Sequence, residues 1–162
     1  MQFQFIFQDM SKIGDIQKVK LNEICRFFGP DSTVSEIADM MDLQDIGAVP
    51  IVDDNNQLMG VVSERDIVRK LVKNGRDSDL VTAKDIMTSK VITVTKKTSQ
   101  FDALKLMQTN KIRHLPIVDD SQRLINFISH RDIVGPSHGS KKLNIILLGF
   151  AAIILPAIFI FN

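Results

Sequence analysis

Apolar and polar residues alternate along the first half of the chain in a way that predicts helix, strand, strand, helix. One helical face is formed by Val34, Ile37, Ala38 and Met41. Thr33 and Glu36 have the spacing of a capping box, which places the start of this helix. Two apolar runs at residues 48–52 and 58–63, separated by the turn residues 53–56, predict a β-hairpin. A second helix is predicted to begin at Ser63.

The same pattern returns in the second half of the chain. Residues 33–68 (copy one) align without a gap to residues 99–134 (copy two), and more than half of the positions in 46–68 and 112–134 are identical. In copy two Ser99 caps the helix, and Gln100 interrupts its apolar stripe, where we expect Phe101 to cover the gap. Short strands are predicted before each copy, at residues 24–28 and 90–95. A repeat of this kind predicts two α/β units, neither of which covers its apolar face alone.

Breaks in the pattern suggest the domain boundaries. We expect a short strand or an arm over 1–18, a first unit over 19–72, a linker over 73–84 and a second unit over 85–134. Residues 72–79 are mixed in charge, as is typical of a solvated linker. The last helix of copy two meets Gly135 and Pro136, which should end it and open a spacer over 135–142.

The C-terminal residues differ in kind from the rest. Residues 143–161 carry no charge and as a helix would span about 28 Å, close to the hydrocarbon thickness of a bilayer. We expect one C-terminal transmembrane helix; the alternative is a buried helix in a larger assembly. Lys141 and Lys142 precede it, so the positive-inside rule places the folded part in the cytoplasm.

Composition excludes several classes of function. Lys and Arg number 20 and Asp and Glu 19, a balance that does not favour a nucleic-acid partner. Cys25 is the single cysteine, so the chain forms no internal disulfide and no zinc site built on paired cysteines. We expect Cys25 to be a small core residue. No spacing of residues indicates a catalytic or a metal site, so the chain is not expected to be an enzyme.

The repeated segments "IGAVPIVDD…LMGVVSERDIV" and "IRHLPIVDD…LINFISHRDIV" closely resemble a tandem pair of cystathionine-β-synthase (CBS) domains. The resemblance implies two units related by a pseudo-two-fold axis, with two clefts between them and a tendency to form homodimers. It also implies a regulatory role and an adenosine-containing ligand such as AMP, ADP, ATP or S-adenosylmethionine, but no cofactor.

The resemblance centres on a G-h-h-S/T-x-x-D corner between strand and helix. Copy one has the corner whole, whereas Asn126 replaces the glycine in copy two and should crowd the same spot. The resemblance implies that Asp66 and Asp132 accept hydrogen bonds from ribose hydroxyls. The Ser63 and Ser129 hydroxyls, with free N–H groups at the helix start, suit a phosphate. The alternative is that Ser-x-x-Asp serves only to cap the helix.

The hairpin of copy two should add charge to its corner. With the turn centred near Ser121, Arg113 is predicted to face Ser129 and His114 to face Ile128. Four potentially cationic side chains would then gather there and attract an anion, or else stand as solvated surface charges. Copy one has Gly47 and Ala48 at the equivalent positions. The predicted nucleotide-binding residues are Ser63, Arg65, Asp66, Arg113, His114, Ser129, His130, Arg131 and Asp132.

The sequence supports two candidate functions. The first is a membrane-tethered regulatory module that senses an adenine nucleotide and signals to a membrane transporter or another membrane protein. The alternative is a CBS-pair scaffold for dimerisation and partner docking without a nucleotide.

Overall fold

The structure is a computed structural model that describes residues 11–21, 23 and 25–135. The N-terminal segment forms a 3₁₀ turn at Ile13–Asp15 and the short helix α1 (Gln17–Lys20). Copy one follows with α2 (Val34–Gln44), β1 (Ala48–Val52), β2 (Leu58–Ser63) and α3 (Glu64–Asp66), which continues as a π-helical turn at Ile67–Leu71 and a 3₁₀ turn at Val72–Asn74. The element order of the first predicted α/β unit is therefore confirmed.

Copy two has the same order of elements. Helix α4 (Ala83–Ile86) precedes copy two, whose elements are α5 (Gln100–Asn110), β3 (His114–Val118), β4 (Leu124–Ser129) and α6 (His130–Val134). The last helix ends at Gly135, whose φ of +73° is a conformation that L side chains rarely adopt. The two copies thus form the predicted α/β repeat, with a shorter last helix in copy two.

The helix starts form where the local sequence predicts them. In α2 the Thr33 hydroxyl accepts from the Glu36 N–H at 3.2 Å, and the Glu36 carboxylate accepts from the Thr33 N–H at 2.9 Å. In α5 the Ser99 hydroxyl accepts from the Asp102 N–H at 3.0 Å. These contacts satisfy N–H groups that a helix start would otherwise leave without partners.

The gap in the apolar stripe of α5 is not covered by Phe101, contrary to expectation, since Phe101 is 48% exposed. The Gln100 amide instead donates to the Lys12 carbonyl at 3.0 Å. The N-terminal segment therefore lies over the position at which copy one has an apolar residue.

Each copy contains one antiparallel hairpin, and the register differs by one residue from the prediction. His114 faces Ser129 and Leu115 faces Ile128, and a bulge shifts the pairing between Ile117 and Val118. The bulge leaves Ile125 as the extra residue on β4, which a simple count from the turn does not include.

The strands predicted before each copy shrink to single parallel bridges. Phe28 pairs with Ile51, and Val94 pairs with Ile117. Phe27, expected in a buried strand, is 52% exposed. One bridge per copy extends each hairpin without forming a third strand.

The two hydrophobic cores exchange their leading segments. The core of copy one includes Val81, Ala83 and Ile86, which precede copy two in the chain. The core of copy two includes residues of the N-terminal segment, namely Ile13, Ile16 and Val19. Residues 13–19, most of them in the predicted arm, thus pack into copy two. The end of the predicted linker packs into copy one. Each apolar face is covered from outside its own repeat, which ties the two copies together.

Reciprocal hydrogen bonds join the two hairpins at their turns. The Leu58 N–H donates to the Gln122 carbonyl at 3.4 Å, and the Leu124 N–H donates to the Asn56 carbonyl at 3.0 Å. These residues are equivalent pairs in the aligned copies, as an approximate two-fold axis between the copies requires.

No helix within residues 11–21, 23 and 25–135 is long and apolar enough to cross a membrane. The predicted span at 143–161 lies outside the described residues and stays a prediction.

Candidate functional site

An open cleft of about 1220 Å³ lies between the two copies. Its copy-two side is lined by six of the predicted residues, Arg113, His114, Ser129, His130, Arg131 and Asp132. Its copy-one side includes Asp45, Gly47 and Glu64. The other three predicted residues, Ser63, Arg65 and Asp66, are not among its lining residues. The structure therefore brings together the copy-two half of the predicted site and separates it from the copy-one half.

The copy-two corner is a closed capping box. Asp132 Oδ2 accepts from the Ser129 N–H at 2.6 Å and from the Ser129 hydroxyl at 2.8 Å. The His130 N–H donates to the Arg113 carbonyl at 2.7 Å, and the Asp132 N–H donates to Ser129 at 3.3 Å. The prediction of free N–H groups at this helix start is thus wrong for three of them, because the capping box and the hairpin use them. Within the described residues, no hydrogen bond reaches Asp132 Oδ1.

Lys18 is a site residue that the sequence pattern alone did not reveal. Its ammonium lies 2.8 Å from Asp132 Oδ2, and it lines the cleft from helix α1. Although partial burial raises the pKa of Asp132, the hydrogen bonds from Lys18 and Ser129 hold it below its usual value. One feature of the sequence could have indicated the position of Lys18. Ile13, Ile16 and Val19 lie three residues apart, and these apolar side chains pack into the core of copy two.

His114 does not act as a cation at neutral pH. Its ring stacks on Phe127 with the ring centroids 5.6 Å apart and the planes 5° from parallel. Burial and, to a smaller extent, the neighbouring Arg113 lower the pKa of His114 to about 4. The predicted cluster of four potentially cationic groups is therefore reduced by one, and His114 contributes a neutral aromatic surface.

Asn126, which replaces the motif glycine, is 3% exposed and bonded to backbone on both sides. Its amide donates to the Glu23 carbonyl at 3.1 Å and accepts from the Phe127 N–H at 2.7 Å. The residue holds the N-terminal segment against β4. At Gly60, by contrast, an added Cβ would lie 2.6 Å from the Met87 sulfur, so the glycine makes room for Met87.

The copy-one corner is fully occupied by the protein itself. Asp66 Oδ2 accepts from the Ser63 N–H at 3.0 Å, and Oδ1 accepts from the Thr88 hydroxyl at 3.1 Å. Lys70 Nζ lies 2.9 Å from the same Oδ1. Arg65 is turned away and donates to the Lys111 carbonyl at 3.1 Å. The predicted difference between the two corners holds, but its cause is the neighbouring side chains of copy one as well as the missing arginine and histidine.

Carboxylates line the copy-one side of the cleft opposite the arginines. Arg131 Nη1 lies 3.7 Å from Asp45 Oδ2, and both side chains are exposed. Glu64 Oε2 and the His114 ring lie 3.1 and 3.6 Å from the point that a Cβ on Gly47 would occupy. The cleft is thus polarised, with positive charge on copy two and negative charge on copy one.

A family model, the CBS domain, matches residues 17–73 and 83–137, most of the chain. The chain belongs to the CBS-domain family. The matched ranges begin at α1 and at α4, so each includes part of the segment that packs into the other copy.

Among relatives of this CBS pair, a protein of Methanopyrus kandleri is 43% identical over 105 residues, which are 65% of this chain and 54% of the relative. The inosine-5′-monophosphate dehydrogenase of Methanocaldococcus jannaschii is 36% identical over 105 residues, 65% of this chain but 20% of the enzyme. The chain therefore spans about half of the first relative and a small part of the second.

Solved structures share the fold of this CBS pair. A CBS-domain protein of Burkholderia ambifaria superposes with a TM-score of 0.72 at 29% identity, covering 81% of this chain and 96% of that one. The CBS pair of MJ0100, in complex with 5′-methylthioadenosine and S-adenosyl-L-methionine, has a TM-score of 0.65 at 25% identity. CBSX2 in complex with AMP has a TM-score of 0.62 at 25% identity, and each of the two covers 76% of this chain and 93% of its own.

Cys25 also lines the cleft of the CBS pair and is half-buried, so it is not the core residue that we expected. Burial raises the pKa of its thiol to about 11, so the side chain is a thiol and not a thiolate at neutral pH. Within the described part of the chain, no group of three or more His, Cys, Asp and Glu side chains could hold a metal ion.

Proposed function

We propose that this chain is a regulatory module that binds an adenine nucleotide in the cleft, at the copy-two corner. The observation that carries the proposal is the grouping of Arg113, His130 and Arg131 around Asp132, whose Oδ1 has no hydrogen-bond partner in the described residues. An anionic group would contact the arginines, and the ribose hydroxyls would donate to Asp132. Similar CBS pairs are known in complex with AMP and with S-adenosylmethionine.

A ligand in this cleft would act on the arrangement of the two copies. The cleft is lined from copy two by Arg113 and Arg131 and from copy one by Asp45 and Glu64. A ligand that contacts both copies favours the relative orientation to which it binds more tightly, and it shifts the balance only by that difference in affinity. The exchanged segments would carry such a shift, because each is covalently joined to one copy and buried in the other.

The module is further proposed to be a homodimer, held at the cytoplasmic face of a membrane by residues 143–161. The charge-free stretch after Lys142 supports the anchor. The partner that receives the signal would then be a membrane protein, such as a transporter.

The test is thermal unfolding of the full chain in mild detergent with adenosine, AMP, ADP, ATP, S-adenosylmethionine or NAD. At a ligand concentration about 100 times the dissociation constant, binding should stabilise the protein by about 2.7 kcal/mol. Asp132→Ala should remove most of this gain, since a hydrogen bond to a charged group contributes about 1.5–3 kcal/mol. Arg113→Ala should weaken the binding of phosphorylated ligands more than the binding of adenosine.

Asp66→Ala is the matched control, because that carboxylate is held by Ser63, Lys70 and Thr88. It should lower the melting temperature of the protein without changing the shift that a ligand produces. If no adenine ligand stabilises the wild-type chain, nucleotide sensing is refuted.

A scaffold without a nucleotide is the second candidate. It is favoured by the closed copy-one corner and by the Lys18–Asp132 ion pair, which already neutralises the copy-two carboxylate. The scaffold predicts that Lys18→Met destabilises the protein and that no adenine ligand shifts its melting temperature. Nucleotide sensing predicts a shift that survives in this variant.

A further inference from the structure

The two sides of the cleft carry opposite charge, and this arrangement bears on which adenine ligand the cleft binds. We propose that the cleft selects adenine ligands by their number of phosphates and favours one phosphate over three. The inference rests on the proposed binding of an adenine nucleotide at the copy-two corner. It names the class of ligand as a nucleoside monophosphate.

The basic side of the cleft is small. At the copy-two corner it comprises Arg113 and Arg131, with His130 exposed beside them, whereas His114 is neutral near pH 7 because its pKa is lowered to about 4. Arg26 lines the cleft from the segment before copy one. Lys18 is already paired with Asp132 at 2.8 Å. At the corner itself, Arg113 and Arg131 match the charge of one phosphate group, and Arg131 already lies 3.7 Å from Asp45.

The acidic side lies within reach of the same ligand. Asp45 approaches Arg131 to 3.7 Å, and the Glu64 carboxylate lies next to Gly47, where the His114 ring also lies. Asp42 lines the same wall. A phosphate chain that extends from the arginines across the cleft therefore meets carboxylates.

The end of helix α2 adds to this negative wall. The helix runs for 11 residues and ends at Gln44, and its last turn contains no basic residue. The aligned peptide dipoles of a helix place a partial negative charge at its C-terminus, which repels an anion. Asp42 and Asp45 lie at this end and strengthen the repulsion.

The expected preference is modest because the cleft is open to water. ATP carries about two more negative charges than AMP. Each additional charge is repelled by two to three carboxylates across several ångströms of screened solvent. This repulsion corresponds to about a three- to tenfold difference between the dissociation constants of ATP and AMP. Mg²⁺ would hide this difference by neutralising the phosphates.

The test is titration calorimetry of the full chain in detergent with adenosine, AMP, ADP and ATP, in buffer with EDTA at about 0.15 M ionic strength. AMP should bind the wild-type chain about three- to tenfold more tightly than ATP. The double variant Asp45→Asn/Glu64→Gln should lower the dissociation constant of ATP by about the same factor and that of AMP by less than about threefold. Asp39→Asn is the matched control, since Asp39 is exposed on the same helix and does not line the cleft.

The outcomes separate the two ideas. If ATP binds the wild-type chain as tightly as AMP, or if the double variant changes AMP and ATP equally, selection by phosphate number is refuted and nucleotide binding stands. If Asp39→Asn reproduces the effect of the double variant, the effect comes from net charge and the acidic wall is refuted. If none of the four ligands binds, the proposed function falls, and the selection falls with it.

Discussion

Lowering the pH from 7 to 5 should destabilise this protein through His114. The imidazole is largely buried against Phe127, and burial with the nearby Arg113 lowers its pKa from 6.5 to about 4. As the pH falls below 6.5 the unfolded chain takes up a proton at this residue while the folded chain does not. The folded state is therefore favoured above pH 6.5, and this stability is lost progressively between pH 6.5 and about 4.

The size of the effect follows from the two pKa values. A change from 6.5 to about 4 corresponds to a loss of about 1–2 kcal/mol between pH 7 and pH 5. The carboxyls of Asp66 and Asp132 do not contribute in this range, because their pKa values are lowered below 3.8 and they stay charged.

Urea unfolding at pH 7 and pH 5, followed by circular dichroism, measures the loss. His114→Phe keeps a ring against Phe127 and cannot take up a proton, so its free energy of unfolding should fall by about 1–2 kcal/mol less than that of the wild type. His130→Gln is the control, since His130 is exposed, and it should keep the wild-type difference. An equal pH dependence in the wild type and His114→Phe would refute the reasoning.

Three further predictions concern stability, membrane attachment and assembly. Ile13→Ala should lower the free energy of unfolding by about 2–5 kcal/mol, because Ile13 is fully buried in the core of copy two. Leu21→Ala is its control, since Leu21 is 62% exposed, and an equal loss in both would contradict the segment exchange. The full chain should sediment with membranes and a chain lacking 141–162 should not; a full chain that stays in the soluble fraction refutes the anchor. Sedimentation at about 10–50 µM, where stable interfaces persist, should show a dimer, since Leu43 and Val72, which do not line the cleft, are 75% and 63% exposed. A pure monomer at that concentration contradicts the dimer.

Several features of the fold could be predicted because they depend on nearby residues. A capping box at Thr33 and Glu36 forms within one helical turn, and the turns after β1 and β3 follow from short runs of Asp with Asn or Ser. The hairpin register was missed by one residue because the bulge at Ile125 depends on how the strand packs. The burial of Ile13 was missed because its partners are far along the chain.

The candidate site was predicted in part for the same reason. Arg113 and Arg131 meet at one end of a hairpin, a relation set within copy two, and the prediction tolerates a register error of one residue. The neutral state of His114 depends on burial, which a count along the chain does not contain. The role of Lys18 depends on a helix from outside the repeat.

By itself, the sequence determined the repeat, because the two copies align without a gap. It also determined where helices begin, because a cap such as Ser129 with Asp132 forms between residues three positions apart. It also placed the cationic corner in copy two. Only the tertiary structure decided which corner is available to a ligand. The corner with the intact motif is closed by Lys70 and Thr88, and the corner that lost its glycine lies in the open cleft. The physical reason is that a carboxylate accepts whichever donors the fold brings within hydrogen-bond distance, whatever motif it belongs to.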